Sequence, residues 1–213
     1  MRLKGRKALV TGAGSDGIGA ATAVALAREG ASVAVHHLNQ DDDAAKLCAH
    51  IEAMGGTAIC VKADLAVAAN ARRMVREAAE GLGGLDSLVA CAATLRRVPF
   101  LELTDEEWDR VHAVNLRGTF AVAQEAARLM VAAGTGGRIA LVSSVNQDHP
   151  TKNLAHYVAS KGGVKMLGRA MAMELAEARI TVNLIAPGTV ETDINRAALA
   201  DPAFRAEKEA LIP

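Results

Sequence analysis

The sequence predicts one α/β domain, a doubly wound parallel sheet with helices on both faces. Two observations carry this. Short apolar strand-like runs alternate with amphipathic helical stretches from one end of the chain to the other. Hydrophobic residues make up 51% of the chain but aromatics only 2%, so the core must be built from Ala, Val, Leu, Ile and Met, which suits helices packed on a buried sheet. The length, 213 residues, suits one such domain.

The elements follow in order. Lys7–Thr11 reads as a short buried strand followed by glycines. Gly19–Gly30 reads as a helix that Gly30 stops. Ser32–His36 is a second strand, Asp41–Met54 a helix ended by Gly55 and Gly56, and Thr57–Leu65 a third strand. Val67–Glu80 is helical and Asp86–Ala93 is a fourth strand. Thr104–Glu107 spells a capping box that opens a long helix reaching Ala132. Gly137–Ser144 is a fifth strand, a helix then carries Tyr157 to about Glu177, and Arg179–Gly188 is a sixth strand with its exit turn. A short helical tail starts at Glu191. No linker or repeat interrupts the series, so residues 1–213 are expected to form a single dinucleotide-binding and catalytic domain of Rossmann type. Crossovers are expected to be right-handed. The stop soon after strand six leads to the expectation that a C-terminal strand is missing.

Lys plus Arg equals Asp plus Glu at 24 each, which leaves no electrostatic reason to expect a nucleic acid or membrane partner. Cys48, Cys60 and Cys91 have no C-x-x-C spacing and read as free thiols in a reducing compartment. The N-terminus is not a signal peptide and no apolar run approaches a membrane span. A cytoplasmic protein is the expectation.

Between the first strand and the first helix stands Val10–Ala21, "VTGAGSDGIGAA". Glycines here let the backbone approach a pyrophosphate, and the helix N-terminus offers unpaired N–H groups to its oxygens. Gly12, Gly17 and Gly19 are the candidates, with Ser15 beside them and Ile18 packing under the loop. The second strand ends in His37, Leu38 and Asn39, with neither the acid that favours NAD nor an arginine. The missing acid leans towards NADP; Asp16 in the glycine turn leans towards NAD. His36 and His37 read as a strand end, not a metal site, since no third ligand is in view. Asp64 either accepts from an adenine amino group or caps the next helix. Leu65 and Ala92, at the ends of strands three and four, complete that side.

Tyr157 is the only tyrosine in the chain, and Lys161 follows it by four residues. On a helix the two share a face. A nearby ammonium lowers a phenol pKa, which makes Tyr157 a candidate proton donor and acceptor beside a hydride-carrying cofactor. Ser144, at the end of strand five, lies where ligands bind in open α/β folds. Asn115, polar in an apolar helix, is either a satisfied buried amide or a link in a proton path to Lys161.

"TGAGSDGIG", "LDSLVACAA", "VNLRGTF", "LVSSV", "YVASKGG" and "APGTVET", in this order, resemble the short-chain dehydrogenase/reductase family across essentially the whole chain. The resemblance implies a catalytic tetrad of Asn115, Ser144, Tyr157 and Lys161. In it Ser144 polarises the substrate oxygen and Tyr157 exchanges the proton. Lys161 holds the nicotinamide ribose and tunes Tyr157, while Asn115 positions a relay water. It also implies that Pro187, Gly188, Val190 and Thr192 meet the nicotinamide end. Within the family, the stretches around Tyr157 and after Pro187 are most similar to bacterial glucose 1-dehydrogenases, and next to carrier-protein-linked 3-oxoacyl reductases. Asn146–His156 would border the substrate mouth, and its hydrogen-bonding side chains suit a sugar, polyol or small polar carbonyl substrate.

Two departures from the family pattern stand out. Four residues, rather than three, separate Gly12 from Gly17, so one residue such as Asp16 must bulge out or reshape the turn. Ala90-Cys91-Ala92-Ala93 replaces the usual N-N-A-G and gives up side-chain amides that brace the sheet, at roughly 0.5–1.5 kcal/mol per hydrogen bond. Three readings result: an NAD(P)-dependent alcohol/ketone oxidoreductase, a 3-oxoacyl-(acyl-carrier-protein) reductase, and a nucleotide-binding protein without catalysis. A homodimer or homotetramer is expected, because the family buries the long Ala- and Met-rich helices in an interface.

Overall fold

The computed structural model describes residues 1–193 and 195–210; of the closing stretch from Ala210 to Pro213, only Ala210 is among them. Six strands form one sheet: β1 (Lys7–Thr11), β2 (Ser32–His37), β3 (Thr57–Lys62), β4 (Ser87–Ala90), β5 (Gly137–Val142) and β6 (Ile180–Ile185). Their order is β3-β2-β1-β4-β5-β6 and every pairing is parallel. The strand order reverses between β1 and β4, where Val10 pairs with Val89 and Thr11 with Ala90.

Alternation along β1 shows why its interior is apolar. Leu9 enters one core and Val10 the other, because successive side chains leave a strand on opposite faces. Helices α1 (Ile18–Arg28) and α2 (Asp41–Ala53) cover the Val10 face. Helices α3 (Ala68–Leu82), α5 (Thr119–Ala133) and α6 (Ala155–Glu174) cover the Leu9 face. The tail forms α7 (Arg196–Leu199) and α8 (Pro202–Glu209). Gly30 follows α1 at φ +94°, the left-handed conformation that stops a helix cheaply.

The long helix that the capping box announces begins as α4 (Asp105–His112), with Thr104 Oγ1 accepting from the Glu107 N–H at 3.3 Å. It does not run on as a regular α-helix. A π-helical turn, Ala113–Gly118, joins α4 to α5. Such turns insert where a helix must re-aim a residue, and Asn115 sits in this one. Gly118 closes it because a Cβ there would stand 2.7 Å from the Leu65 carbonyl oxygen.

The strands end earlier than the apolar runs suggest. Pairing stops at Lys62, Ala90, Val142 and Ile185, and the residues beyond turn out of the sheet at its C-terminal edge. Those exits border the cleft at the switch point.

Candidate active site

A cleft of about 1100 Å³ opens along that edge. Every cofactor-binding candidate read from the sequence lines it, from Gly12 and the glycine turn to Pro187, Gly188, Val190 and Thr192. So do Ser144, Tyr157 and Lys161. Asn115 does not.

The glycine turn is held by close packing. Gly12 has φ +66°, and a Cβ on it would lie 2.7 Å from the Ala92 Cα. A Cβ on Gly19 would meet the Gly12 carbonyl oxygen at 2.3 Å, and one on Gly14 the His37 Cβ at 2.3 Å. Gly14 was not among the sequence candidates; its signal is the G-x-G spacing with Gly12. The α1 N-terminus has Gly17 at its cap, no side-chain cap and no acid in its first turn. Its free N–H groups and positive dipole end are thus available to an anion. This bare, glycine-cradled helix start fits a dinucleotide pyrophosphate.

The extra residue in the turn is accommodated outward. Asp16 is 84% exposed and pairs with Arg196 at 2.9 Å. His36 braces the turn from beneath. Its Nδ1 accepts from the Gly12 N–H at 3.0 Å, so its Nε2–H donates to the Ala63 carbonyl at 3.1 Å. Burial holds this ring neutral, with a pKa near 4. His36 thus has a structural role, bracing the glycine turn, that the strand-end reading did not include. Asp64 lines the cleft while its Oδ1 accepts from the Ala66 N–H at 2.8 Å, so it stabilises the turn before α3.

The loss of N-N-A-G amides is offset from β1. Thr11 Oγ1 accepts from the N–H groups of both Cys91 and Ala92, at 3.0 and 3.1 Å. Thr11 is a bracing residue that the sequence did not flag.

Asn115 is fully buried, and its amide is completely used. It accepts from the Thr94 N–H at 2.8 Å and donates to the Thr94 carbonyl at 2.9 Å and to Ser160 Oγ at 3.2 Å. Of the two alternatives, the satisfied amide matches the geometry. Asn115 clamps the loop after β4 to α6, and Ser160, a residue the sequence did not flag, carries the link by donating to the Tyr157 carbonyl at 2.7 Å.

Tyr157 and Lys161 do share a face of α6, with the ammonium 5.7 Å from the ring centroid. The expectation that Lys161 lowers the phenol pKa is corrected. Burial raises it, the nearby Ser144 hydroxyl pulls it back, and Cys91 adds a smaller push upward. Lys161 is itself almost wholly buried and donates to the Val142 carbonyl at 2.9 Å. Burial brings its pKa down to about 8. The phenol is therefore protonated at neutral pH, ready to donate rather than accept.

A stability prediction follows for Lys161. Its pKa falls from 10.5 unfolded to about 8 folded, so between those pH values the unfolded chain holds a proton that the folded chain has released. Stability therefore rises with pH across that window, and the full penalty, about 3 kcal/mol, is present below it. Lys161→Met removes the penalty and forfeits the bond to Val142, a net gain of about 1–2 kcal/mol at neutral pH. Thermal denaturation from neutral to alkaline pH should show a melting temperature at or above the wild type near neutrality and no alkaline rise. A clearly lower neutral melting temperature would contradict it.

No cluster of three or more metal-ligand side chains occurs among the described residues. No helix among them is long and apolar enough to cross a membrane.

The short chain dehydrogenase family model matches residues 6–203. An L-rhamnose 1-dehydrogenase (NAD(P)(+)) of Sphingomonas sp. (strain SKA58) is 38% identical over 211 residues, 99% of this chain and 83% of that protein. A tetrahydroxynaphthalene reductase of Pyricularia oryzae is 38% identical over 196 residues, 92% of this chain and 68% of that one. Among solved structures, a gluconate 5-dehydrogenase from Burkholderia cenocepacia J2315 in complex with NADP and tartrate superimposes with a TM-score of 0.89 at 38% identity. It covers 95% of this chain and 78% of its own. With the cleft, the glycine cradle and these relatives in agreement, the chain belongs to the short chain dehydrogenase family and is an NAD(P)-dependent oxidoreductase.

Proposed function

We propose that this enzyme interconverts a secondary alcohol and a ketone on a sugar or polyol, working as a single catalytic domain in the cytoplasm. The observation that carries the reading is the trio lining the cleft: Tyr157 and Lys161 on one face of α6, with Ser144 just beyond the end of β5. A nicotinamide bound in the cleft would supply or accept the hydride. Tyr157 gives its phenolic proton to the carbonyl oxygen in reduction and takes it back in oxidation. The Ser144 hydroxyl donates to the same oxygen and orients it. Lys161, which also lines the cleft, would hold the nicotinamide ribose. Asn115 acts one step removed, as a positioning residue that fixes the loop at Thr94 and, through Ser160, the first turns of α6. The phenol starts protonated, so oxidation should accelerate with rising pH and reduction should not.

The substrate class is supported by the polar rim at Asn146 and Arg110 and by relatives named for rhamnose and gluconate. A panel of aldoses, aldonates, polyols and ketones assayed with both cofactors tests it. Turnover confined to apolar ketones or to carrier-bound acyl chains would overturn the sugar reading.

For the cofactor the reading is NADP ahead of NAD. The tip of β2 bears no carboxylate, and Asp16 is turned outward into Arg196. A ligand that binds only the folded state raises its melting temperature by mass action. NADP is therefore expected to give the larger thermal shift at equal concentration, and a larger shift with NAD would reverse the assignment.

Self-association rests on apolar side chains left exposed on α5 and α6, among them Phe120, Val131, Met166 and Met173. Light scattering at low micromolar concentration is expected to give a dimer or tetramer mass; a monomer would refute it.

A further inference from the structure

Two thiols that the sequence treats as unrelated meet in the fold. Cys48, on α2, is 8% exposed, and Cys60, on the edge strand β3, is exposed. Their sulfurs stand 2.7 Å apart. Non-bonded heavy atoms sit comfortably at roughly 3.5–4.0 Å, and a disulfide needs about 2.05 Å. Period-two alternation puts Cys60 on the α2 side of β3. Ala58, two residues before it, packs in the α1–α2 core. Lys62, two residues after it, reaches Asp41 at the start of α2 at 2.7 Å. The approach of the two sulfurs is therefore set by the packing of α2 on β3.

We propose that Cys48 and Cys60 form a reversible intrachain disulfide when the protein meets a low-molecular-weight disulfide. The exposed Cys60 reacts first: its thiolate attacks one sulfur of the small disulfide, forms a mixed disulfide and releases one small thiolate. The Cys48 sulfur then attacks the Cys60 sulfur and displaces the second small thiolate. The two protein thiols lose two electrons and two protons, and the small disulfide becomes two thiols. Burial and the neighbouring sulfur push the Cys48 thiol up to about 12, which suits it to the second, intramolecular step rather than the first. The bond ties α2 to the edge of the sheet, in the unit that also carries His37 at the adenosine end of the cleft. Cys91, just beyond β4 and on the other side of β1 and β2, takes no part and serves as an internal control.

The test is to incubate the full-length protein with oxidised glutathione and count thiols after denaturation. Three thiols should fall to one, with the Cys48 and Cys60 peptides joined in a chain that remains single on a non-reducing gel. The melting temperature should rise and return with dithiothreitol. Cys60→Ser, an exposed position that leaves the core intact, should keep both of its thiols and show no thermal shift. Three reactive thiols in the wild type, glutathione retained on Cys60, a link between chains, or a fall in melting temperature would each overturn the proposal. None of these readouts depends on catalysis, so their failure is separable from failure of the proposed reaction.

Discussion

Tyr157→Phe is expected to leave the fold and the nicotinamide affinity unchanged and to lower turnover by about 10²–10⁴-fold, the usual worth of a positioned proton donor. The substitution removes one oxygen atom from a ring that is otherwise packed on α6. The ring keeps its contact with Lys161, because that contact is to its face. The phenol is the only one in the chain, so no other tyrosine can stand in. Three measurements together make the test sharp. Turnover with the best sugar or polyol substrate should collapse in both directions. The thermal shift given by NAD(P) should stay. The wild-type pH profile, in which oxidation accelerates as pH rises, should disappear, because the group that must lose its proton is gone. Undiminished activity in the Phe variant would end the case for Tyr157, and a lost cofactor shift would mean that the residue holds the nucleotide rather than the proton.

Gly12→Ala is expected to abolish the cofactor-induced thermal shift and to destabilise the protein by about 2–4 kcal/mol. Two effects add at this position. The backbone is left-handed at φ +66°, where a Cβ is strained, and that Cβ would lie 2.7 Å from the Ala92 Cα and 2.9 Å from its nitrogen. Those neighbours are backbone, so β1 and β4 would have to part at the switch point itself. Gly55→Ala supplies the control. Its φ is +81°, but nothing lies within 4 Å of a Cβ there, so it should cost only about 1 kcal/mol from the left-handed backbone and leave cofactor binding intact. Urea denaturation and thermal shift on the two variants, side by side, separate backbone strain from steric exclusion. Equal losses in both would contradict the steric account.

Much of the architecture was legible in the chain. The strands at Lys7, Ser32, Thr57, Gly137 and Ile180 start within a residue of where the apolar runs place them, because a strand in a largely buried parallel sheet reads as a near-continuous apolar run. The strand ends were less legible. Thr57–Leu65 reads as one run, yet pairing stops at Lys62, since Ala63 to Leu65 are apolar or capping residues that serve the cleft instead of the ladder. The π turn at Asn115 left no trace in periodicity, because one extra residue in a helix is invisible among so many alanines.

The sequence by itself determined the alternation of strands and helices, the glycine cradle before α1, and the one-face placement of Tyr157 and Lys161. These are local consequences of side-chain volume and of helical and strand periods, which act over a few residues. Only the tertiary structure decided the charge states and the partners. It showed burial raising the Tyr157 pKa, Thr11 replacing the missing amides of β4, Asn115 spent on Thr94 and Ser160, Asp16 turned to Arg196, and Cys48 set against Cys60. Desolvation and long-range contact depend on what the rest of the chain brings to a point in space, and no local pattern encodes that.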